Sequence, residues 1–295
     1  MSSLAPVVRW YHVGVMLALA AAALASSARA AAAADPRDAI PAAAQPADSP
    51  AVRLTVAQLK ARLSAATQSA PADLSNTDLS GLDLTKLDFK QATLTGATLA
   101  NSKLAGANLF SCDLTGANLS GADLAHANLD GTVLRRADLQ RANLQGASLF
   151  ATIIEGADLR GANLSGTRVI GYLRSAKLAG AIMRDANMGA DPSNQSMGVM
   201  RATFVGADLT GADLTGTNLY KADLSHATLA KARLVRATLS NAELIQTDLT
   251  GADLTGAKLD KADLDGADFT GAVGLDQVQG LAQARNRDKA TFDAK

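Results

Sequence analysis

Apolar residues recur at every fifth position from Leu74 to Val169 and again from Phe204 to Phe269. Units such as Ala122-Asp123-Leu124-Ala125-His126, Ala207-Asp208-Leu209-Thr210-Gly211 and Ala252-Asp253-Leu254-Thr255-Gly256 add a small residue two before the central Leu and often Gly two after it. Neither ordinary periodicity produces this pattern. A step of five turns an α-helix through about 140° and scatters the Leu residues around it, and in a flat strand an odd step alternates faces. The Leu side chains share one side only if the chain turns a corner every five residues and coils around a central stack. Gly after the central pair suits the positive φ of a type II turn. Repetition over such a length outranks every local signal.

The frame breaks once. After Val169 the apolar positions slip to Leu173, Leu178, Met183 and Met188, the segment Asp191 to Arg201 carries no repeat, and Phe204 restores the original phase. The break predicts a loop projecting from the coil, or a kink in it.

Units of the form A(D/N)LxG resemble the pentapeptide-repeat family, and the resemblance covers about 200 of the 295 residues. It implies an all-β fold, a right-handed quadrilateral β-helix with four pentapeptides per coil. The central Leu and the Ala two before it would point inward and the other three residues outward. The number of units then gives roughly nine coils, with short capping helices at the ends. The family members best understood in mechanistic terms resemble duplex DNA in shape and charge and bind type II topoisomerases, giving fluoroquinolone resistance.

The flanks divide as follows. Residues 1–30 read as a signal peptide: Arg9 and His12 precede an apolar run from Val13 to Ala25, and Ala28-Arg29-Ala30 is a small-x-small cleavage motif. The run falls short of the ~20 apolar residues of a membrane span; cleavage would leave no stable span, and the weak basic region and loose cleavage motif leave an uncleaved anchor as the alternative. Residues 31–51, rich in Ala and Pro, read as a disordered leader. Segment 52–71 carries Leu54, Leu59 and Leu63 near helical spacing and is expected to cap the repeats of 72–271. The frame slip and loop occupy about 170–203. In 272–295, Asp276 with Gln279 makes a capping box and Leu275, Val278 and Leu281 an apolar stripe, which predict a C-terminal capping helix and tail.

Composition changes this picture little. Lys and Arg together number 28, as do Asp and Glu, and aromatics are 3% of the chain, so no whole-molecule field draws nucleic acid or acidic lipid. Catalysis commonly needs a base beside a nucleophile. The repeats offer His126 and His226, both at outward positions about five coils apart. Cys112 is the only Cys and replaces an inward Ala, so no intrachain disulfide forms and the thiol is expected to be buried. No P-loop, dinucleotide fingerprint or zinc spacing appears. The sequence therefore assigns no catalytic residue, no cofactor and no metal.

Outward rows say more, because residues twenty apart stack on one face. Asp223, Glu243 and Asp263 form a ladder of like charge, open to Ca²⁺ or to neutralisation by Lys221 and Lys261. Phe110, Asp130, Phe150 and Ile170 share a row beside Val133 and Ile153. With Arg135 and Arg136 they make a partly hydrophobic, basic-edged strip, the candidate interaction surface. The leading expectation is a non-catalytic exported scaffold, periplasmic or secreted, that binds a protein or envelope component, with a second copy of itself as a further candidate partner. A topoisomerase-binding DNA mimic is disfavoured by the export signal and by 22 acidic against 18 basic residues in 72–271. An enzyme would need a site at the 191–201 loop, with Asp185, Asp191 or Asn194 in polar roles.

Overall fold

The computed structural model describes residues 51–190 and 200–294; the signal and leader segments, and Asp191 and Asn194, lie outside the described residues. Two short parallel strand pairs and a long series of parallel bridges make up the β-structure. β1 (Val52–Arg53) pairs with β2 (Thr77–Asp78), and β3 (Ser148–Ile153) with β4 (Arg168–Tyr172). The bridges repeat at 20 residues, as in Asp73–Thr93–Asp113–Val133, and fall into four columns, one for each pentapeptide of a coil. The chain is thus a parallel β-helix of four-sided coils.

Each corner is closed by one hydrogen bond across four residues, for example Ala97 N–H to the Leu94 carbonyl at 3.0 Å. Its third residue sits at positive φ, 66° at Gly96, the geometry of a type II turn. Between corners the central residue donates to the coil above (Leu94 N–H to Asp113 O, 2.7 Å) and its predecessor to the coil below (Thr93 N–H to Ala72 O, 3.0 Å). The sides of the coil are thereby locked in register.

The core is the column of central residues, with mostly small residues two before them filling the corners; both sets are buried along the described coils from Leu74 to Phe269, except that Leu82 and Leu87 take the corner position and are partly buried. Where Thr or Ser replaces the small Ala, its hydroxyl finds a carbonyl. Thr167 donates to Leu164 O at 2.7 Å in its own turn, and Thr132 to Leu109 O at 2.8 Å in the coil below. A buried polar group with its bond made costs little.

Asp or Asn before the central residue has a role beyond facing outward. Its side chain accepts from the N–H two residues on, as in Ser80 N–H to Asp78 Oδ1 (2.9 Å) and Ser120 N–H to Asn118 Oδ1 (2.9 Å). This Asx turn caps a donor that the corner leaves unpaired.

The frame slip is a single-residue deletion followed by an eleven-residue insertion. Asp158 pairs with Lys177, 19 residues on, and Tyr172 with Thr203, 31 on, before the 20-residue spacing resumes at Thr203–Asp223. The departures sum to two whole pentapeptides, which returns Phe204 to the original frame. At the deletion Gly171 moves into the inward corner position and pairs with Thr152, while Ala151 opposite is left out of register. A Cβ on Gly171 would overlap the Thr152 carbonyl, so only glycine closes the shortened unit.

The ends differ from expectation. The N-terminal helix α1 is Val56–Ala65, begun by a capping box between Thr55 and Gln58, and buries Leu59 and Leu63. Leu54 precedes it on extended chain, its N–H bonded to Asp78 O (3.1 Å), and stacks under the first coil. The expected C-terminal capping helix does not form. Val273, Gln279, Arg285 and Thr291 bridge to Asp253, Lys258, Asp263 and Asp268, so the chain makes a further coil of six-residue units. Its extra residues form one-turn 3-10 corners at Leu275–Gln277, Leu281–Gln283 and Arg287–Lys289, begun by Gly274, Gly280 and Asn286 in the left-handed region, and Asp276 caps nothing. Phe292 then stacks on Phe269 with ring centroids 5.0 Å apart.

Two glycine replacements separate backbone cost from packing cost. Gly116→Ala, at φ 64° with open space around it, should destabilise by about 1 kcal/mol. Gly171→Ala should cost at least ~2–3 kcal/mol, because backbone and not side chain must move. Thermal melting of the two variants checks the order; equal losses would remove the packing role given to Gly171.

Candidate interaction surface

The strip is built by one column and the corner before it. Val133 bridges to Ile153 and Ile153 pairs with Tyr172, so three apolar side chains stand in an outward row that elsewhere holds Asp, Thr, Glu and, at its end, Arg285. Tyr172 is 38% exposed. It was not among the strip residues expected from the sequence, because it stands after the slip, where twenty-residue counting fails. Counting 19 at that point would have found it.

Beside this row, Phe110 and Phe150 are half-buried, and the Arg168 guanidinium lies over the Phe150 ring at 4.6 Å. Ile170 corrects the expectation: it is only 2% exposed. The deletion after it draws its unit inward, so it supports the strip from beneath and offers no contact area. Asp130 is already engaged, accepting from the Ser148 hydroxyl at 2.5 Å and Phe150 N–H at 2.8 Å. It does not reach Arg135 or Arg136. Arg135 pairs with Glu155 at 3.1 Å, and Arg136 is exposed at the corner.

Farther along the same column the acidic ladder is in register, Asp223 bridging to Glu243 and Glu243 to Asp263. Its neutralisation does not come from the expected Lys221 and Lys261. Arg201 binds Glu243 through both nitrogens, at 2.6 and 3.0 Å, and reaches Asp223 at 3.4 Å; Arg285 pairs with Asp263 at 3.5 Å. Glu243 accordingly raises the Arg201 pKa. Sequence reasoning missed both arginines because they sit in non-repeat segments that no count of five places.

The remaining candidates stay apart. His126 and His226 are exposed on left-handed corner residues, φ 56° and 59°. Cys112 is fully buried, and loss of solvation pushes its thiol up to about 12, which keeps it from acting as a thiolate. Among the described residues no group of three or more His, Cys, Asp or Glu is placed to hold a metal, and no helix is long and apolar enough to cross a membrane.

The model of the family described as pentapeptide repeats matches in 8 copies, over residues 72–109, 112–149, 142–171, 201–230 and 232–271. The chain belongs to the pentapeptide-repeat family. Members of this family fold as right-handed β-helices and are generally structural or interaction modules. Among solved structures, the chain is 30% identical to HetL, a pentapeptide-repeat protein involved in heterocyst differentiation regulation from the cyanobacterium Nostoc sp. strain PCC 7120, over 80% of this chain and 98% of that one, with a TM-score of 0.31. It is 21% identical to a trypsin-treated variant of QnrB1, a plasmid-mediated fluoroquinolone resistance protein, over 73% and 86%, TM-score 0.34. It is 31% identical to Rfr23 from the cyanobacterium Cyanothece 51142 over 41% and 91%, TM-score 0.19. These overlays are too loose to carry argument, and the repeats decide the family. No curated protein matches the chain.

In this pentapeptide-repeat protein the corner caps also set a pH dependence. The hydroxyls of Ser75, Ser80, Thr85 and Thr270, followed by their backbone N–H groups, hold Asp73, Asp78, Asp83 and Asp268 below the ordinary carboxylate value of 3.8. A carboxylate lowered in the folded state stabilises above its unfolded pKa, and that stability is lost as pH falls through the folded value. The melting temperature should therefore be flat from pH 7 to about 5 and fall below about 4. Asn fills the same turn position at Asn118, so Asp78→Asn with Asp268→Asn should fold normally and show a shallower acid limb. An unchanged limb in a pH series of melts would show that these caps do not set it.

Proposed function

We propose that the chain is a non-catalytic scaffold, exported across a membrane, that binds a partner protein or envelope component through the corner bearing Val133, Ile153 and Tyr172 with Phe110 and Phe150. The observation that carries the reading is that row: apolar side chains in three consecutive coils of one column, at a position where the rest of the rod holds an apolar residue only singly, at Ile182 and Val273. The inward positions are filled by stacked side chains along the whole coil, which leaves recognition to outward faces. Mixed charge, and Asp carboxylates engaged in their own turns, favour this over mimicry of a polyanion. Export rests on the apolar run and Ala28-Arg29-Ala30 in residues 1–30.

Two experiments test the parts separately. Changing Phe110→Ser and Phe150→Ser together should leave the melting temperature within a few degrees and abolish capture of the partner in a pull-down from envelope extract. Capture that survives the change would move the site away from this corner. Intact-mass measurement should find protein outside the cytoplasm shortened by residues 1–30; a full-length species confined to the cytoplasmic fraction would remove the export reading.

A further inference from the structure

We infer that the occupant of this corner is an anionic lipid surface. The inference rests on the partner-binding role proposed above and names the chemistry of the partner. The row is one residue wide, lies along a corner, and offers apolar area on the order of a few hundred Å² from side chains that are mostly half-buried. A stable protein pair buries about 1,200 Å² or more with matched shapes. A bilayer interface needs no matched shape, and it accepts a ridge of aromatic and aliphatic side chains that sink among the headgroups.

Charge points the same way. Arg136 and Arg174 are exposed on the side following the row, and neither takes part in an ion pair among the described residues. On the preceding side Arg168 lies across Phe150. Basic side chains next to an apolar ridge strengthen adsorption to anionic lipid by roughly fivefold each. The nearby carboxylates oppose this weakly: Asp130 is held by Ser148 and Phe150 N–H, and Glu155 by Arg135. The acidic ladder farther along the column is covered by Arg201 and Arg285, so it does not turn that face negative. Tyr172 combines an apolar ring with a polar tip, the form that aromatic residues take at membrane interfaces.

Trp10 is the only tryptophan, which allows a direct test on the full chain. Tyr172→Trp in a Trp10→Phe background places one indole in the row. With brominated phosphatidylglycerol vesicles its emission should shift to the blue and be quenched, with little change on brominated phosphatidylcholine, and added salt should weaken the effect. Arg136→Glu with Arg174→Glu should reduce co-sedimentation with the anionic vesicles at least ~10-fold. With Trp10→Phe in every variant, residues 1–50 are the same throughout, so differences between variants read the corner alone. Indole emission unchanged on vesicles that do carry the protein down would assign binding to residues 1–50 and overturn the inference. So would a dimer in lipid-free sedimentation that Tyr172→Ser dissolves, which would make a second copy the occupant. If lipid has no effect but Phe110→Ser with Phe150→Ser still abolishes protein capture, the lipid assignment fails and the interaction surface stands.

Discussion

Every inward side chain must lie over the one a coil below and under the one a coil above, at about the 4.8 Å spacing of paired strands. The rest of the molecule follows from this stacking. A coil whose sides must coincide can turn only at fixed places, so a corner hydrogen bond recurs every five residues. The corner leaves one N–H unpaired, and Asp or Asn before the central residue supplies its acceptor. The inner corner is filled mostly by small side chains, with Leu82 and Leu87 near the N-terminal end as larger, partly buried exceptions, and the few hydroxyls there are tolerated because each reaches a carbonyl. Length cannot vary freely either. The shortened unit at Gly171 and the insertion before Phe204 add up to whole pentapeptides, since any other sum would leave the upper coils with polar residues inside.

Much of this is legible in the sequence. The period of five excludes helix and flat strand, and Gly two after the centre gives the turn. A second rule was also available. Where a large side chain takes the left-handed corner position, it often lies over a glycine one coil on, as His126 does over Gly146, with ring atoms 2.6 and 2.7 Å from where a Cβ would stand, and Arg136 over Gly156. At His126 the pairing with a glycine twenty positions later is steric, as it is for Asn76 over Gly96 and Asn101 over Gly121, whereas Arg136 makes only an ordinary contact; the twenty-residue interval itself marks coil length. The Asp and Asn before the central residue looked merely outward; that they cap the turn emerges only when the N–H they accept from is seen to lack another partner.

What the sequence hid lies where two patterns coincide or counting fails. Leu275, Val278 and Leu281 are spaced three apart, which satisfies one face of a helix, and the same residues also fit a six-residue coil unit. Gly274, Gly280 and Asn286 at intervals of six decide between them, because each begins a unit in the left-handed region and a glycine inside a helix is unfavourable. Ile170 counts as outward by its number, yet the missing residue after it pulls the chain in. Arg201 reaches the acidic ladder from a segment without repeats. Its pairing needed three dimensions.

The irregular coil and the apolar row are the same place. Regular repeats run below and above it with polar residues at most outward positions and no apolar run along the before-central position of any one column, and they satisfy local turn chemistry, packing and charge together. At the deletion three of these rules give way at once. A unit is one residue short, glycine is forced inward against a carbonyl, and the outward column carries valine, isoleucine and tyrosine in succession. Stacking alone requires none of the outward three, since Thr93 and Thr98 occupy equivalent positions elsewhere. A sequence that departs from its own rule at the point where its surface also changes character is following a second constraint there, and in a rod whose interior is filled, that constraint acts from outside.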